Sequence, residues 1–324
     1  MELAACLMRL VFRLCSLFPQ QRKIVLLSRQ SARPLDFVLL EPELARRFPD
    51  RRIVWSCVTS IGEMSLPLML SQIWHVATAE LCLVDGYVPA VSTPYAHRCV
   101  VVQVWHALGA IKRFGYQSLD TPAGRSSRAA RTLRMHRGYD LVVAGLPGAV
   151  ASFSEAFDIP AEKILPLGLP RVDYLLSPDL EPTRSRRFAR AGQAAEAAFS
   201  RVGAAGDGWR TVVYAPTFRK ANADSRWLEH AVTSLCSALA GTSSRLLVAG
   251  HPLDDLPEGA FDLGTPVVGL RGVATIDLLN LADFVVTDYS TVAFEAGFAG
   301  CRVLFFVPDI DEYRLSPGLN VDPL

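Results

Sequence analysis

The sequence predicts an α/β protein built from two doubly wound domains. Short apolar, β-branched runs alternate with segments that repeat apolar residues at helical spacing, a pattern typical of βα units and a parallel sheet. Two such series are separated by a segment with prolines at 166, 170, 178 and 182, where we place the interdomain linker. Such folds bind ligands at the carboxyl ends of their strands, so we expect two Rossmann-like domains facing a central cleft.

The N-terminal segment predicts an amphipathic helix. Residues 3–18 are apolar except for Arg9, Arg13 and Ser16, which together with Glu2 fall on one stripe of a helix. The run is shorter and more charged than the roughly 20 apolar residues that span a bilayer. Its charges lie within the apolar run, whereas a signal peptide carries them ahead of it. Two interpretations remain, a helix lying in the membrane interface and a helix packed on the protein body.

The remaining chain divides into two predicted domains behind this helix, which occupies residues 1–20. The first domain, residues 21–180, has predicted helices at 35–47 and 63–78 and strands at 23–28, 52–58, 80–85, 99–105, 141–144 and 163–167. The second domain, residues 181–324, has predicted strands at 211–215, 245–249, 266–270, 283–287 and 302–307 and helices at 184–202, 226–240, 275–281 and 291–298.

Composition narrows the class of protein. Half of the 324 residues are apolar and a fifth are charged, which suffices for two buried cores and argues against disorder. The net charge of +1 favours no particular ligand, and the mean hydropathy of +0.24 suggests that some surface meets lipid or a partner. The seven cysteines are scattered without a CxxC pair, so we predict buried thiols in a reducing compartment and no metal site.

The first segment with predicted chemistry follows the strand at 99–105. His106 would stand at the carboxyl end of that strand, with Lys112 and Arg113 in the glycine-containing loop behind it. An imidazole has an unperturbed pKa of about 6.5, so His106 is a candidate general base for an attacking hydroxyl. The alternative is a buried imidazole that bonds only to the backbone.

Two further segments place cations and hydroxyls after strands. Thr217 and Arg219 follow the strand ending at residue 215, where they would hold a phosphate oxygen by charge-assisted hydrogen bonds. A surface turn with solvated cations would look the same. His251, fixed by Pro252, follows the next strand and is a candidate ligand for a phosphoryl oxygen or leaving group.

The segment 287–291 links a strand to a helix and contains Asp288. Ser290 or Thr291 would be the N-cap, and the free N–H groups of that helix would bind a pyrophosphate. Glu295, one turn into the helix, would reach ribose hydroxyls or stay solvated. Ordinary capping requires the same residue types.

Taken together, these segments resemble the CDP-glycerol glycerophosphotransferase family, the enzymes that prime and polymerise teichoic-acid-type poly(polyol phosphate) chains. The resemblance covers nearly the whole chain, because several short motifs occur in the family's order. They are residues 27–31, 36–37, 104–110, 112, 114–116, 169–173, 214–219, 251–252 and 287–291.

The resemblance implies a GT-B fold, no metal or other cofactor, and peripheral attachment to the cytoplasmic face of the cell membrane. It implies that His106 is the base and that His251 binds phosphate. The predicted reaction moves glycerol phosphate from CDP-glycerol to a hydroxyl of a polyprenyl-diphosphate-linked or polymeric acceptor and releases CMP. Two alternatives remain, a GT-B glycosyltransferase that uses a nucleotide sugar and an inactive, truncated membrane-associated homologue.

Two stretches depart from the family's pattern. Residues 314–318 differ from it and the chain stops at residue 324, so we expect the last helical turns to be missing and stability or activity to suffer. Residues 145–148 are less polar than in relatives.

Arginines recur every three residues from Arg125 to Arg137. On an α-helix they would cover a broad face, which we predict contacts an anionic polymer or acidic lipid. Arg128, Arg131 and Arg134, with Lys112 and Arg113, therefore form the predicted acceptor or membrane set. The alternative is a solvated helix. No aromatic residues interleave with the arginines, so nucleic acid is not a predicted partner.

Overall fold

The computed structural model describes residues 1–59, 63–217, 226–249 and 264–324, so the predicted site residues Arg219 and His251 lie outside the described residues. The chain forms two compact units. Unit 1 comprises Met1–Arg171 with Leu315–Asn320, and unit 2 comprises Val172–Arg314 with Val321–Leu324. Each unit holds one sheet whose described strands are all parallel, with helices between them, which confirms the predicted α/β class.

Unit 1 is built on a six-stranded sheet with the order β2-β1-β3-β4-β5-β6. Its elements are α1 (Glu2–Cys15), β1 (Lys23–Ser28), α2 (Leu35–Arg47), β2 (Arg52–Cys57), α3 (Leu66–Thr78), β3 (Leu81–Val84), α4 (Pro89–Ser92), β4 (Val100–Gln103), α5 (Ser127–Thr132), β5 (Leu141–Val143), α6 (Val150–Phe157) and β6 (Ile164–Leu165). The chain winds outward from β1 to β2 and then returns past β1 to β3. The direction of winding therefore reverses between β1 and β3, where ligands bind in open α/β sheets.

The burial of β1 reflects its position inside this sheet, next to the edge strand β2. All six of its residues are buried, and its neighbours in register are β2 on one side and β3 on the other. The helix α3 begins at a Ser65 side chain that accepts a hydrogen bond from Leu68 N, with a proline in its first turn. It packs its apolar face, including Ile73 and Val76, into the core under the sheet.

Unit 2 begins within the helix α7 (Pro170–Leu176) and has a five-stranded sheet with the order β11-β10-β7-β8-β9. Its elements are α8 (Glu181–Ser200), β7 (Arg210–Ala215), α9 (Trp227–Leu239), β8 (Ser244–Val248), β9 (Val267–Gly269), α10 (Thr275–Leu278), β10 (Phe284–Thr287), α11 (Val292–Phe298), β11 (Arg302–Phe305) and α12 (Ile310–Leu315). Here the winding direction reverses between β7 and β10, so this pair forms the second switch point.

One helix was not expected from the sequence, and the helical arrangement expected for the arginines is wrong. The proline-rich segment contains a helix, α7, because Pro170 stands in the first turn, where its missing N–H and fixed φ are tolerated. The arginine repeat does not lie on one helix, since α5 ends at Thr132 and carries Arg128 and Arg131 alone of the five. Beyond α5, Arg134 has a positive φ of 52°, which breaks the helix.

The helix α1 has two apolar faces. One face packs on the body of unit 1 through Ala5, Met8 and Phe12, which are buried. The opposite face is exposed and consists of Leu3, Leu7, Leu10 and Leu14, at spacings of four, three and four residues. No helix in the described part of the chain is long and apolar enough to cross a membrane.

Residues 315–320, near the end of the chain, return to unit 1. Arg113 N donates to Gly318 O at 2.9 Å, and Asn320 N donates to Ile111 O at 2.7 Å. The side-chain amides of Asn320 and Gln117 bond reciprocally, at 2.8 and 3.1 Å. This C-terminal segment is therefore docked on the loop that follows His106.

Candidate functional site

His106 stands beyond the carboxyl end of β4 because the chain turns sharply at Trp105. Trp105 has φ +49°, a left-handed conformation that is strained in a residue with a side chain. Gln103 stabilises the turn, since its side-chain oxygen accepts from Trp105 N at 2.9 Å and its amide nitrogen donates to Gly86 O at 3.0 Å. The sequence prediction that His106 follows a strand end is correct.

One hydrogen bond determines how His106 can act. Its Nδ1 lies 2.7 Å from the backbone oxygen of Asp85. A carbonyl oxygen only accepts, so Nδ1 carries the proton and Nε2 is the acceptor. Burial lowers the pKa of His106 to about 4, and the positive charges of Arg171 and Lys112 act in the same direction. The ring is therefore neutral at pH 7, and its Nε2 can take a proton.

Asp85 and Ser28 join the two strands at the first switch point. Ser28 Oγ, at the end of β1, donates to Asp85 Oδ2 at 2.6 Å, just beyond β3. Burial raises the pKa of Asp85 to about 7. Its Oδ1 is buried and has no hydrogen-bond partner among the described residues. The sequence analysis missed both residues, although each is a polar residue at the end of a buried strand.

An aromatic cluster holds the imidazole in place. The ring of Trp105 lies 4.3 Å from that of His106 and stacks on Phe114 at 5.0 Å. Phe157 meets Trp105 edge-on at 5.0 Å and His136 at 4.7 Å. Such packing fixes the rotamers around His106, which is what a pre-organised base requires. Periodicity alone did not reveal this cluster, since its members come from separate loops and helices.

A buried ion pair lies close to the same strand ends. Asp36 is 2% exposed and accepts from Arg171 N and Arg171 Nε, both at 3.0 Å. Both residues belong to motifs that suggested the family resemblance. Because a buried carboxylate needs a partner, this pair fixes the start of α7 relative to α2.

The predicted acceptor or membrane set divides into two groups. Lys112 and Arg113 lie in the loop after His106, which the C-terminal segment holds through a bridge between Lys112 and Leu319. Arg128 pairs with Glu2 of α1 at 2.9 Å, and the Arg134 guanidinium lies 4.5 Å from the centre of the Tyr95 ring.

Arg131 is exposed and bonds to Ser127 on α5. The three later arginines therefore belong to the surface beside α1, while Lys112 and Arg113 belong to the His106 loop.

Unit 2 brings Thr217 and Asp288 together at its own switch point. Asp288 follows β10 and is fully buried, and its Oδ1 accepts from Thr217 N at 2.7 Å and from Tyr289 N at 2.6 Å. The carboxylate thus fixes two backbone turns. Thr217 Oγ1 is buried and has no hydrogen-bond partner among the described residues. Asp288 therefore acts as a positioning residue for Thr217.

The start of α11 lies beside this pair. Thr291 is the N-cap residue but makes no side-chain capping bond, whereas Ser290 Oγ accepts weakly from Val292 N at 3.4 Å. Glu295 is 6% exposed, so the solvated interpretation of this residue is wrong. Four of the predicted donor-binding residues, Thr217, Asp288, Ser290 and Thr291, therefore follow the paired strands β7 and β10, and Glu295 lies one turn into α11.

No group of three His, Cys, Asp or Glu side chains in the described ranges is arranged to hold a metal ion. In unit 1, the side-chain cations of Arg171 and Lys112 lie close enough to His106 to lower its pKa. The chemistry available there is proton acceptance by a neutral imidazole beside guanidinium and ammonium groups.

Comparison with known proteins extends this picture. A family model described as CDP-glycerol:poly(glycerophosphate) glycerophosphotransferase matches residues 10–324. The teichoic acid ribitol-phosphate primase of Bacillus spizizenii is 30% identical over 254 residues, covering 76% of this chain and 61% of the primase. The teichoic acid glycerol-phosphate primase of Staphylococcus aureus is 24% identical, covering 80% of this chain and 64% of the primase. The match thus spans about three fifths of each of these two relatives.

Solved structures show the same fold. The wall teichoic acid polymerase TagF superposes with a TM-score of 0.69 at 19% identity, covering 97% of this chain and 77% of the polymerase. A UDP-GlcNAc 2-epimerase from Neisseria meningitidis superposes with a TM-score of 0.53 at 13% identity, covering 87% and 82% of the two chains. At these identities the likeness concerns the fold, which is GT-B-like.

Proposed function

Because the chain belongs to the CDP-glycerol:poly(glycerophosphate) glycerophosphotransferase family, we propose that it transfers a polyol phosphate from a CDP-activated donor to an acceptor hydroxyl. The acceptor oxygen attacks the phosphorus next to the polyol. A new P–O bond forms, the P–O bond to the bridging oxygen breaks, and CMP leaves. CDP-glycerol is the proposed donor, and the acceptor is a polyprenyl-diphosphate-linked or polymeric polyol phosphate.

One observation carries this proposal, namely the state of His106. A neutral imidazole whose Nδ1–H is held by Asp85 O offers Nε2 to the proton of an attacking hydroxyl. The tautomer is fixed before substrate arrives, so no reorganisation is needed at the moment of attack. Lys112, in the loop behind His106, would stabilise negative charge that develops on the phosphoryl oxygens.

We propose that unit 2 binds the CDP group. Thr217, whose buried hydroxyl has no hydrogen-bond partner among the described residues, would donate to a diphosphate together with Ser290 and Thr291. Glu295 would accept from the ribose hydroxyls. Arg219 and His251, outside the described residues, are the proposed cationic and imidazole ligands of the same diphosphate. The positive charge comes from side chains in this scheme, so EDTA is expected to leave turnover unchanged.

A donor panel tests the proposal. Purified protein is incubated with CDP-glycerol, CDP-ribitol or a UDP-sugar and a soluble acceptor that carries a free polyol hydroxyl. CMP release is followed chromatographically. We expect release from at least one CDP-polyol, and loss of about 10²–10⁴-fold in kcat for His106→Gln with donor binding retained. His230→Gln, a change at another histidine, serves as the matched control.

Each alternative function gives a different result in this panel. A glycosyltransferase would consume the UDP-sugar and release a nucleoside diphosphate. An inactive homologue would turn over none of the donors. Near-normal turnover by His106→Gln would remove the base assignment while leaving the proposed reaction in place.

We further propose that α1 holds the protein at the cytoplasmic face of the cell membrane. Leu3 is 84% exposed, and Leu7, Leu10 and Leu14 are each 54–57% exposed along one helix face. Arg13, on the same helix, is exposed as well. A row of leucines flanked by cations is suited to the boundary between acyl chains and anionic headgroups.

Vesicle sedimentation tests this localisation. The double variant Leu7→Glu/Leu10→Glu is expected to lose binding to vesicles that contain anionic lipid, with no change in unfolding, since both side chains are exposed. Leu167→Glu, which alters a 73% exposed leucine elsewhere on unit 1, is the control. Equal sedimentation of the double variant and the wild type would exclude α1 as the membrane contact.

A further inference from the structure

Two arginines of unit 1 surround one tyrosine beside His106. Arg29 follows Ser28 at the end of β1, and its Nη1 donates to the backbone oxygen of Tyr87 at 3.0 Å. The guanidinium carbon of Arg125 lies 5.2 Å from the centre of the Tyr87 ring. We propose that Arg29 and Arg125 form a subsite for a phosphate group of the acceptor, next to the hydroxyl that His106 deprotonates. This inference rests on the proposed function and specifies its acceptor side.

The two guanidinium groups lack an anion. Within the described part of the chain, neither forms an ion pair with a carboxylate. Arg29 Nε is buried and has no hydrogen-bond partner there. Burial lowers the pKa of Arg29, and the nearby positive charge of Arg125 lowers it further. Two like charges held together cost free energy that a bound anion would recover.

The subsite is fixed before a ligand binds. The Arg125 backbone oxygen accepts from Asp120 N at 2.9 Å, and the Asp120 carboxylate accepts from Ser127 N at 2.8 Å. These bonds hold the loop that carries Arg125. The Asp120 carboxylate is thereby occupied by a backbone amide and forms no ion pair with the arginine. The planar guanidinium of Arg125 lies over an aromatic ring, which limits its freedom and favours two-pronged contact with phosphate oxygens.

The subsite and His106 are anchored on the same short segment of chain. His106 is anchored on the oxygen of Asp85 and Arg29 on the oxygen of Tyr87, two residues further along the same segment. Two residues of extended chain span at most about 7 Å. In the proposed complex, a terminal polyol places its hydroxyl at Nε2 of His106 while its phosphodiester lies at the two arginines.

Tyr87 connects Arg125 to the aromatic cluster around His106. The Tyr87 ring lies 5.7 Å from the ring of His136, which in turn lies 6.0 Å from Trp105. His136 is buried, and burial lowers its pKa to about 3, so it adds no positive charge near neutral pH. Arg29 and Arg125 therefore supply the cationic character on this side of His106.

Acceptor kinetics and direct binding test the subsite. The probe is a short synthetic oligo(glycerol phosphate) with a free terminal hydroxyl, and binding is measured by calorimetry without donor. We expect Arg29→Gln and Arg125→Gln each to raise the Kd and the KM of the oligomer at least tenfold, with the KM of the CDP-polyol unchanged. Arg125→Lys should recover part of the loss. Arg46→Gln, at an exposed arginine paired with Glu43, should change neither constant.

Phosphate-free glycerol as the acceptor provides a second comparison. If the arginines bind acceptor phosphate, the variants and the wild type should use glycerol with similar kcat/KM. A matching loss with glycerol would show a general structural defect and overturn the subsite. An unchanged oligomer Kd, or a loss confined to the donor KM, would overturn it as well.

Two further outcomes separate a lipid headgroup from the acceptor as the ligand, and a failure of the proposed reaction from a failure of the subsite. Weaker sedimentation of Arg29→Gln with anionic vesicles, with oligomer binding intact, would assign the site to a lipid headgroup and overturn the proposal. Oligomer binding that depends on both arginines, in a protein that turns over no donor, would support the subsite while rejecting the proposed function.

Discussion

Replacing Asp85 by Asn is expected to stabilise unit 1 at neutral pH. Burial raises the pKa of Asp85 from its ordinary 3.8 to about 7, a difference of about 3 pH units. At 1.36 kcal/mol per unit, keeping this carboxyl ionised in the folded state costs about 4 kcal/mol. An Asn oxygen can still accept from Ser28 Oγ, but its NH₂ group meets a site without a partner, which costs about 1–3 kcal/mol. The expected net gain is therefore about 1–3 kcal/mol.

The raised pKa of Asp85 also determines how the free energy of unfolding changes with pH. Because the folded-state pKa is raised, the folded protein binds more protons than the unfolded chain between pH 3.8 and about 7. The wild type therefore loses stability as pH rises through this window, and the loss is complete above pH 7. The difference between Asp85→Asn and wild type should be smallest near pH 4 and largest near pH 8.

Pulse-labelling hydrogen exchange in urea, read by mass spectrometry on peptides of β1 and β3, measures unit 1 separately from unit 2. Asp36→Asn is the contrasting variant, since it removes the partner of Arg171 and should destabilise the unit by about 3–5 kcal/mol. If Asp85→Asn were less stable than wild type at pH 8, or if the difference did not change with pH, the reasoning about this buried carboxyl would be refuted.

Three further predictions concern His106, the switch point of unit 2 and the C-terminal segment. Burial lowers the pKa of His106 to about 4, so kcat/KM should stay flat from pH 7 down to about 5 and fall near pH 4. The fall in kcat should come at higher pH, because the bound diphosphate favours the imidazolium. A fall in kcat/KM near pH 6.5 would contradict this prediction. Asp288→Asn should raise the donor Kd about tenfold or more in calorimetry, because the N–H groups of Thr217 and Tyr289, which share Oδ1, both lose their charged acceptor. An unchanged Kd would show that this turn does not bind donor. Asn320→Ala should lower the stability of unit 1 by about 1–2 kcal/mol through loss of the reciprocal amide pair, and an unchanged urea midpoint would show that the segment adds nothing.

Strands and long helices could be predicted from the sequence where burial and periodicity agree. β1 and α2 have the predicted bounds, because one is a fully buried run and the other repeats its apolar residues at helical spacing. The helix α7 was missed because prolines were interpreted as linker residues, although a proline in the first turn is compatible with a helix. The arginine repeat was wrongly expected to form one helix, because a spacing of three residues does not reveal that Arg134 and His136 adopt positive φ.

The candidate site was predictable where one rule sufficed. His106 and Thr217 both follow strands, and the carboxyl ends of strands carry ligand-binding residues in this class of fold. Asp85 and Ser28 satisfy the same rule, but a polar residue at a strand end is also an ordinary boundary, so sequence could not separate the two. The Arg29–Tyr87–Arg125 arrangement depends on a loop conformation that no local pattern encodes.

The identity of the released nucleotide tests the central claim most directly. With a CDP-polyol and an oligo(polyol phosphate) acceptor, phosphorus NMR of the reaction mixture should show CMP and a new phosphodiester in equal amounts, because attack occurs at phosphorus. Release of CDP in place of CMP would place the attack at carbon and contradict the account.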